Sequence, residues 1–88
     1  MTIRNRLGLH ARAAARFVHL ATRYRSRVQV SHDGRVMDGK SIMGILLLAA
    51  ARGTTIAIAA DGPDEQDALT ALSHLVESGF GEDTTWNA

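Results

Sequence analysis

The sequence predicts an α+β open-faced sandwich: a four-stranded, mainly antiparallel sheet with three helices on one face, in the order β-α-β-β-α-β-α. Three observations point there. Ala14, Phe17, Val18 and Ala21 recur at i, i+3, i+4 and i+7, the period of a helix with one buried face. Val28 and Val30, and later Ile56 and Ile58, recur at the strand period of two. Between those runs stands Asp33-Gly34, a hairpin signal, because both central residues of a type I′ turn need positive φ. No repeat or low-complexity linker divides the 88 residues, so they make one small domain over residues 1–80, followed by an acidic tail, 81–88, expected to be mobile.

In chain order, Thr2 to Leu7 reads as a short first strand and Gly8 as the turn that ends it. A helix is expected from about Ala11 to Tyr24, its second face carrying Arg12, Arg16, His19 and Arg23 as a basic stripe. Arg27–Ser31 and Arg35–Gly39 form the two arms of the hairpin. Ser41 is a plausible N-cap for a helix running to about Ala51, with Gly53 at its C-terminal side. That helix is apolar nearly all round. Ile42, Ile45, Leu48 and Ala49 make one stripe; Met43, Leu46, Leu47 and Ala50 make another. So small a domain has too little protein to cover both, so the second stripe is expected to dock a partner. Thr54–Ala60 is the last strand. Asp61-Gly62-Pro63 turns the chain, and Asp64 is expected to cap a helix whose buried face is Ala68, Leu69, Leu72, Leu75 and Val76, ending near Ser78-Gly79.

Composition narrows the function. The chain has no cysteine, which excludes disulfides, thiolate metal sites and cysteine nucleophiles. Arg4 and Arg6 interrupt any secretory pattern, and the longest apolar run, Ile42 to Ala51, contains Gly44 and is too short to span a bilayer, so a cytoplasmic protein is expected. The net charge of +1 hides a polarity: residues 1–40 carry nine Lys/Arg against two acids, and residues 41–88 carry one against seven. A basic half suits an acidic partner, or nucleic acid.

The chemistry is concentrated in Gly8-Leu9-His10-Ala11-Arg12. A helix opening presents backbone N–H groups without intrahelical partners and a partial positive charge, and so attracts anions. Imidazole is a good nucleophile near neutral pH. A phosphoryl group carried on His10 would lie among amide donors with the Arg12 guanidinium nearby. A histidine before a helix can also be no more than the residue that finishes a turn. His19, His32 and His74 have no ligand spacing and are expected at the surface, and neither a metal nor a cofactor is expected.

Three segments in this order, Gly8-Leu9-His10-Ala11-Arg12, Lys40-Ser41-Ile42-Met43-Gly44 and Gly62-Pro63-Asp64-Glu65-Gln66-Asp67-Ala68, resemble the HPr family. Its members are the histidine-containing phosphocarriers of the bacterial phosphoenolpyruvate-dependent sugar phosphotransferase system. The resemblance runs from Thr2 to about Phe80. It implies that His10 accepts a phosphoryl group on Nδ1 from enzyme I and passes it to an enzyme IIA domain, with Arg12 helping to hold it. It implies that Ser41 is the target of a regulatory serine kinase and phosphorylase. It also implies a stoichiometric carrier rather than a self-sufficient enzyme, a monomer without membrane insertion. Partner docking is expected at Ile42, Met43 and Leu46, with Arg16 from the basic stripe.

Two features depart from the family pattern. Ala13 stands where proline usually follows the active-site arginine, and the first strand is short. Both would suit a regulatory, nitrogen-related phosphorelay paralogue or a domain cut from a longer polypeptide. The rival classes are a basic nucleic-acid-binding module, against which the predicted strands lack exposed aromatics, and a small phosphohydrolase using His10 and Arg12.

Overall fold

The computed structural model describes residues 2–3, 8, 10–48 and 53–81. Its elements are α1 (Ala11–Ala21), β1 (Arg27–His32), β2 (Arg35–Asp38), α2 (Ile42–Leu48), β3 (Ala57–Asp61) and α3 (Glu65–Glu77), closed by a 3-10 turn over Gly79–Gly81. The sheet has three antiparallel strands in the order β2-β1-β3. The fourth, first-in-sequence strand is not seen as such: its residues 4–7 lie outside the described residues. Thr2 forms an antiparallel bridge with Thr55, and Ile3 exchanges backbone hydrogen bonds with Thr54 and Gly53, both at 2.8 Å.

The hairpin turns as the sequence requires, with Asp33 at φ 53° and Gly34 at φ 83°. Val28 and Val30 of β1 are fully buried, whereas Arg27 and Gln29 on the other side of the strand are exposed. One sheet face is thus bare and the other carries the helices. α1 packs against both α2 and α3, α2 against β2 and β1, and α3 against β3. The core joins Ile3, Phe17, Val28, Val30, Ile45, Ile56, Leu72, Val76 and Phe80, with three alanines of α1 filling the closest approaches.

Several details differ from the sequence reading. α1 stops at Ala21 rather than Tyr24. Thr22 is its C-cap, and the Thr22 hydroxyl donates to the His19 carbonyl at 2.8 Å. The Tyr24 carbonyl, freed from the helix, accepts from Lys40 Nζ at 2.7 Å. α2 is described to Leu48, and the expected extension through Ala49 to Ala51 lies outside the described residues, as does the tail beyond Gly81. On α3, Ala68, Leu72 and Val76 are buried as expected, while Leu69 and Leu75 are only half-buried. His32 is not a plain surface residue: it is half-buried, with Nδ1 3.1 Å from the Thr55 carbonyl.

Asp64 is the largest difference. It stands at the N-cap position of α3 but makes no side-chain cap bond there. Its carboxylate turns instead to the loop before β1. It accepts from the backbone N–H groups of Arg25 and Ser26, both at 2.9 Å, and from the Ser26 hydroxyl at 2.6 Å. The Ser26 oxygen in turn accepts from the Asp64 N–H at 3.2 Å. Ser26 is fully buried, so the joint satisfies a polar group that would otherwise be costly there. Gly62 makes the approach feasible, because a Cβ at that position would come within 2.6 Å of Ser26 Cα. The Gly62 N–H donates to Glu65 Oε1 at 3.1 Å, so Glu65 rather than Asp64 ties the turn into the helix.

The hydrogen bonds from the Ser26 hydroxyl and then the Arg25 N–H lower the Asp64 pKa to about 2. An unfolded aspartate titrates near 3.8. The stabilisation is therefore fully present above that value and is lost as pH falls through about 2. Asp64→Asn should melt at a lower temperature than the parent at pH 7, with the difference shrinking progressively from about pH 4 to about pH 2. Melting curves of both proteins across that range test this; a pH-independent difference would assign the loss to geometry rather than charge.

Candidate functional site

The site begins at Gly8, which is buried and holds φ at 65°, the left-handed region that glycine enters without strain. That reversal brings the chain to His10, the N-cap of α1, with extended backbone at φ −80° and ψ 179°. The His10 carbonyl accepts the first helical bond, from the Ala14 N–H at 2.8 Å. Its half-buried imidazole caps the helix as well, Nδ1 accepting from the Arg12 N–H at 3.3 Å. A nitrogen that accepts carries its lone pair outward from the ring, so in neutral imidazole the proton belongs on Nε2. In that tautomer Nδ1 carries the lone pair and faces the positive end of the helix dipole.

Behind His10 the helix is anchored by its other face. Ala13 and Ala14 are fully buried in its first turn, with Phe17, Val18 and Ala21 following. Ala11, Arg12, Ala15 and Arg16 remain exposed. Arg12 thus stands at the same helix opening as His10, as the sequence predicts. Arg12, Arg16, His19 and Arg23 share one groove, which Leu20 and the Leu75 side of α3 complete. Arg16 also holds the fold together, because its guanidinium donates to the Phe80 carbonyl and fastens the turn after α3 to α1. Phe80 holds φ at 59° and is fully buried, a conformation that burial and this bond sustain.

Ser41 is the N-cap of α2, as its position in the sequence suggests. Its hydroxyl accepts from the Gly44 N–H at 3.0 Å, and its carbonyl from the Ile45 N–H at 3.0 Å. The preceding residue reaches elsewhere, Lys40 Nζ bonding the loop after α1. The two expected stripes of α2 resolve differently from the sequence pattern. Ile45 and Leu48 are buried with Gly44, but Ile42, grouped with them by period, is 45 % exposed. Met43 is 67 % exposed and Leu47 is also exposed, whereas Leu46 is half-buried and packs against the core. The free apolar surface of α2 is therefore Ile42, Met43 and Leu47. Leu47 lies in the stripe that the sequence reading turns outward, whereas Leu46, of the same stripe and named for docking, is drawn partly into the core. At the far end of α2 the Leu47 carbonyl accepts from the Arg35 guanidinium at 3.0 Å.

The bare sheet face presents Gln29, Ala57 and Ala59, without an aromatic platform for stacked bases among the described residues. Among those residues no three His, Asp or Glu side chains gather as a metal site, and no helix is long and apolar enough to cross a membrane.

Met43→Asp should leave the melting temperature nearly unchanged, since exposed substitutions usually fall within about 0.5 kcal/mol. Leu46→Asp should cost about 1–3 kcal/mol, because it sets a carboxylate against the core. Thermal melts of the pair separate surface from core; equal losses would mean that Met43 is packed.

Comparison with known proteins converges on one family. Residues 1–78 match the family described as "PTS HPr component phosphorylation site". The phosphocarrier protein HPr of Cupriavidus necator is 52% identical over 81 residues, 92% of this chain and 91% of that one. The crystal structure of an HPr from Thermoanaerobacter tengcongensis superposes with a TM-score of 0.90 at 43% identity, covering 94% of this chain and 93% of the other. The Bacillus subtilis catabolite repression protein Crh, crystallised as a domain-swapped dimer, has a TM-score of 0.77 at 42% identity, covering 90% and 91%.

Proposed function

This chain belongs to the HPr family of phosphocarriers of the phosphotransferase system, and within that family function we propose that His10 Nδ1 is the atom that carries the phosphoryl group. The observation that carries this reading is the cap geometry: Nδ1 faces the helix opening as a hydrogen-bond acceptor. In the proposed step the Nδ1 lone pair attacks phosphorus while the bond from phosphorus to the donor breaks and its electron pair leaves with the donor. The Arg12 N–H then exchanges one acceptor for another, from the imidazole nitrogen to a phosphoryl oxygen. The Arg12 guanidinium neutralises part of the added charge. The reverse exchange releases the group to the next acceptor. Enzyme I as donor and an enzyme IIA domain as acceptor complete the relay we propose.

A carrier must hold its cargo without trapping it, because equal stabilisation of loaded and transferring states would gain nothing in rate. A few helix amides and one exposed arginine meet that need. Ala13 fits the same picture. It keeps helix propensity at the position where the family pattern has proline, and it retains a backbone N–H that proline lacks. The partner-facing surface would be Ile42, Met43 and Leu47 of α2, joined to the basic stripe of α1 that includes Arg16. We take the protein to act in the cytoplasm as a monomer.

His10→Ala should stay folded and accept no phosphoryl group from phospho-enzyme I. Arg12→Ala should slow acceptance by about ten- to a hundredfold while leaving it measurable, since the helix amides remain. Intact mass at neutral and acid pH, followed over time, reads both: one acid-labile phosphate on the parent, the same phosphate gained more slowly on Arg12→Ala, none on His10→Ala. Labelling that survives in folded His10→Ala would move the acceptor elsewhere.

Ser41 is proposed as a second, regulatory phosphorylation site. Its oxygen already faces the amides that open α2, so a phosphate there meets a favourable dipole and leaves the helix intact. The effect falls on docking instead, because roughly −1.5 to −2 charges appear beside Ile42 and Met43. Ser41→Asp should keep its melting temperature yet accept phosphoryl groups with weaker apparent affinity for enzyme I, a defect that added salt reduces. Unchanged transfer kinetics in the phosphoserine form would leave Ser41 as a helix cap only.

A further inference from the structure

We propose that the groove between α1 and α3 binds a polyanionic small molecule with an apolar or aromatic body, the class to which nucleoside polyphosphates belong. The groove is shallow and open to solvent, with a volume of about 540 Å³ formed by one side of α1 and Leu75 of α3. Arg12, Arg16, His19 and Arg23 line it, and none of its described lining residues is acidic. Its remaining lining is Ala15 with the half-buried Leu20 and Leu75. Cationic arms above apolar walls do not suit a fully hydrated anion, and they do not suit an uncharged ring.

The spacing decides how large the ligand must be. Arg12 stands in the first turn of α1 and Arg23 two residues past its last, so the pair brackets the helix, whose stretch from Arg12 to Ala21 alone rises about 13 Å. A single inorganic phosphate would engage one or two of these cations and leave the others unmatched. A ligand whose negative charges run along the stripe, and whose body covers Leu20 and Leu75, would use the whole groove. Guanidinium supplies the paired donors that phosphate oxygens match, and it also stacks on flat rings. Arg16 is held in place by the Phe80 carbonyl, which uses part of its donor set and leaves the rest for a ligand. Part of the cost of ordering that long side chain on binding is thereby already met in the free protein.

His10 is not among the lining residues, but Arg12 is. A ligand seated here would therefore compete for the guanidinium assigned above to the phosphoryl group and would slow transfer. That consequence rests on the proposed role of Arg12; the binding itself does not.

The test is a nuclear magnetic resonance titration of the full chain with ATP in the absence of divalent cations, set against inorganic triphosphate and adenosine. ATP should shift Ala15, Leu20 and Leu75 saturably. Triphosphate should bind at least about tenfold more weakly, a difference of about 1.4 kcal/mol, and leave the two leucine methyls unmoved. Adenosine should not saturate. Arg23→Ala should weaken ATP at least tenfold, and Ala15→Glu, an exposed helix position that gains an opposing charge, should abolish binding while the fold persists. His10→Ala should bind ATP like the parent, which separates this site from the acceptor histidine. Shifts confined to the amides of Ala11 and Arg12, parent-like affinity in Arg23→Ala, or no saturation in the millimolar range would each overturn the proposal.

Discussion

Everything in this molecule depends on how one eleven-residue helix divides its surface. α1 buries Ala13, Ala14, Phe17, Val18 and Ala21 and leaves Arg12, Arg16 and His19 outside. The buried side is mostly alanine, so α1 can approach its neighbours closely, with Phe17 supplying most of the bulk. At roughly 25 cal/mol per Å² of apolar surface removed from water, a face of this kind outweighs the weak helix-forming tendency of so short a segment. The same burial fixes the direction in which the helix opens. His10 takes its place at that opening because the core has already fixed the axis behind it, and Gly8 permits the sharp entry. The proposed reactivity at one end and the packing along one side therefore rest on a single constraint.

That coupling explains why the local geometry of the candidate site is easier to read from sequence than some of the fold. Three short-range signals mark it: a glycine able to turn, a histidine in the cap position, and a helix period starting one residue later. All are local, and the backbone follows each of them. Ser41 is legible for the same reason, since a hydroxyl three residues before a helical amide is a local pattern. What escapes is every interaction between residues distant in sequence. Tyr24 looks helical because nothing near it announces that its carbonyl bonds Lys40, sixteen residues away. Asp64 looks like a cap because it precedes a helix, but its carboxylate is claimed by Arg25 and Ser26. Ile42 groups with the core by period, yet it lies in the first turn of a short helix and remains open to solvent.

The first strand illustrates a different limit. Alternation over Thr2 to Leu7 is weak, and the described part amounts to a bridge at Thr2 and the paired Ile3. Ile3 nevertheless has the burial of a core residue. A segment can thus anchor a side chain in the core without showing a clear period. By contrast, the hairpin and β3 are legible because Asp33-Gly34 and the alternating isoleucines are strong signals in themselves.

The joint between Ser26 and Asp64 has a meaning beyond the energy of its hydrogen bonds. β1 and β3 pair with Arg27 opposite Asp61, so Ser26 stands one residue before the ladder begins and Asp64 three residues after it ends. Moving one strand past the other by a single residue would displace Ser26 by about 3.3 Å and invert which side chains face the helices. Bonds of 2.6 to 2.9 Å cannot survive such a displacement. Gly62, packed against Ser26, would lose its fit at the same step. The joint therefore proofreads the alignment of two strands drawn from opposite halves of the chain: a misaligned sheet would bury a serine with no partner, and only the correct alignment closes.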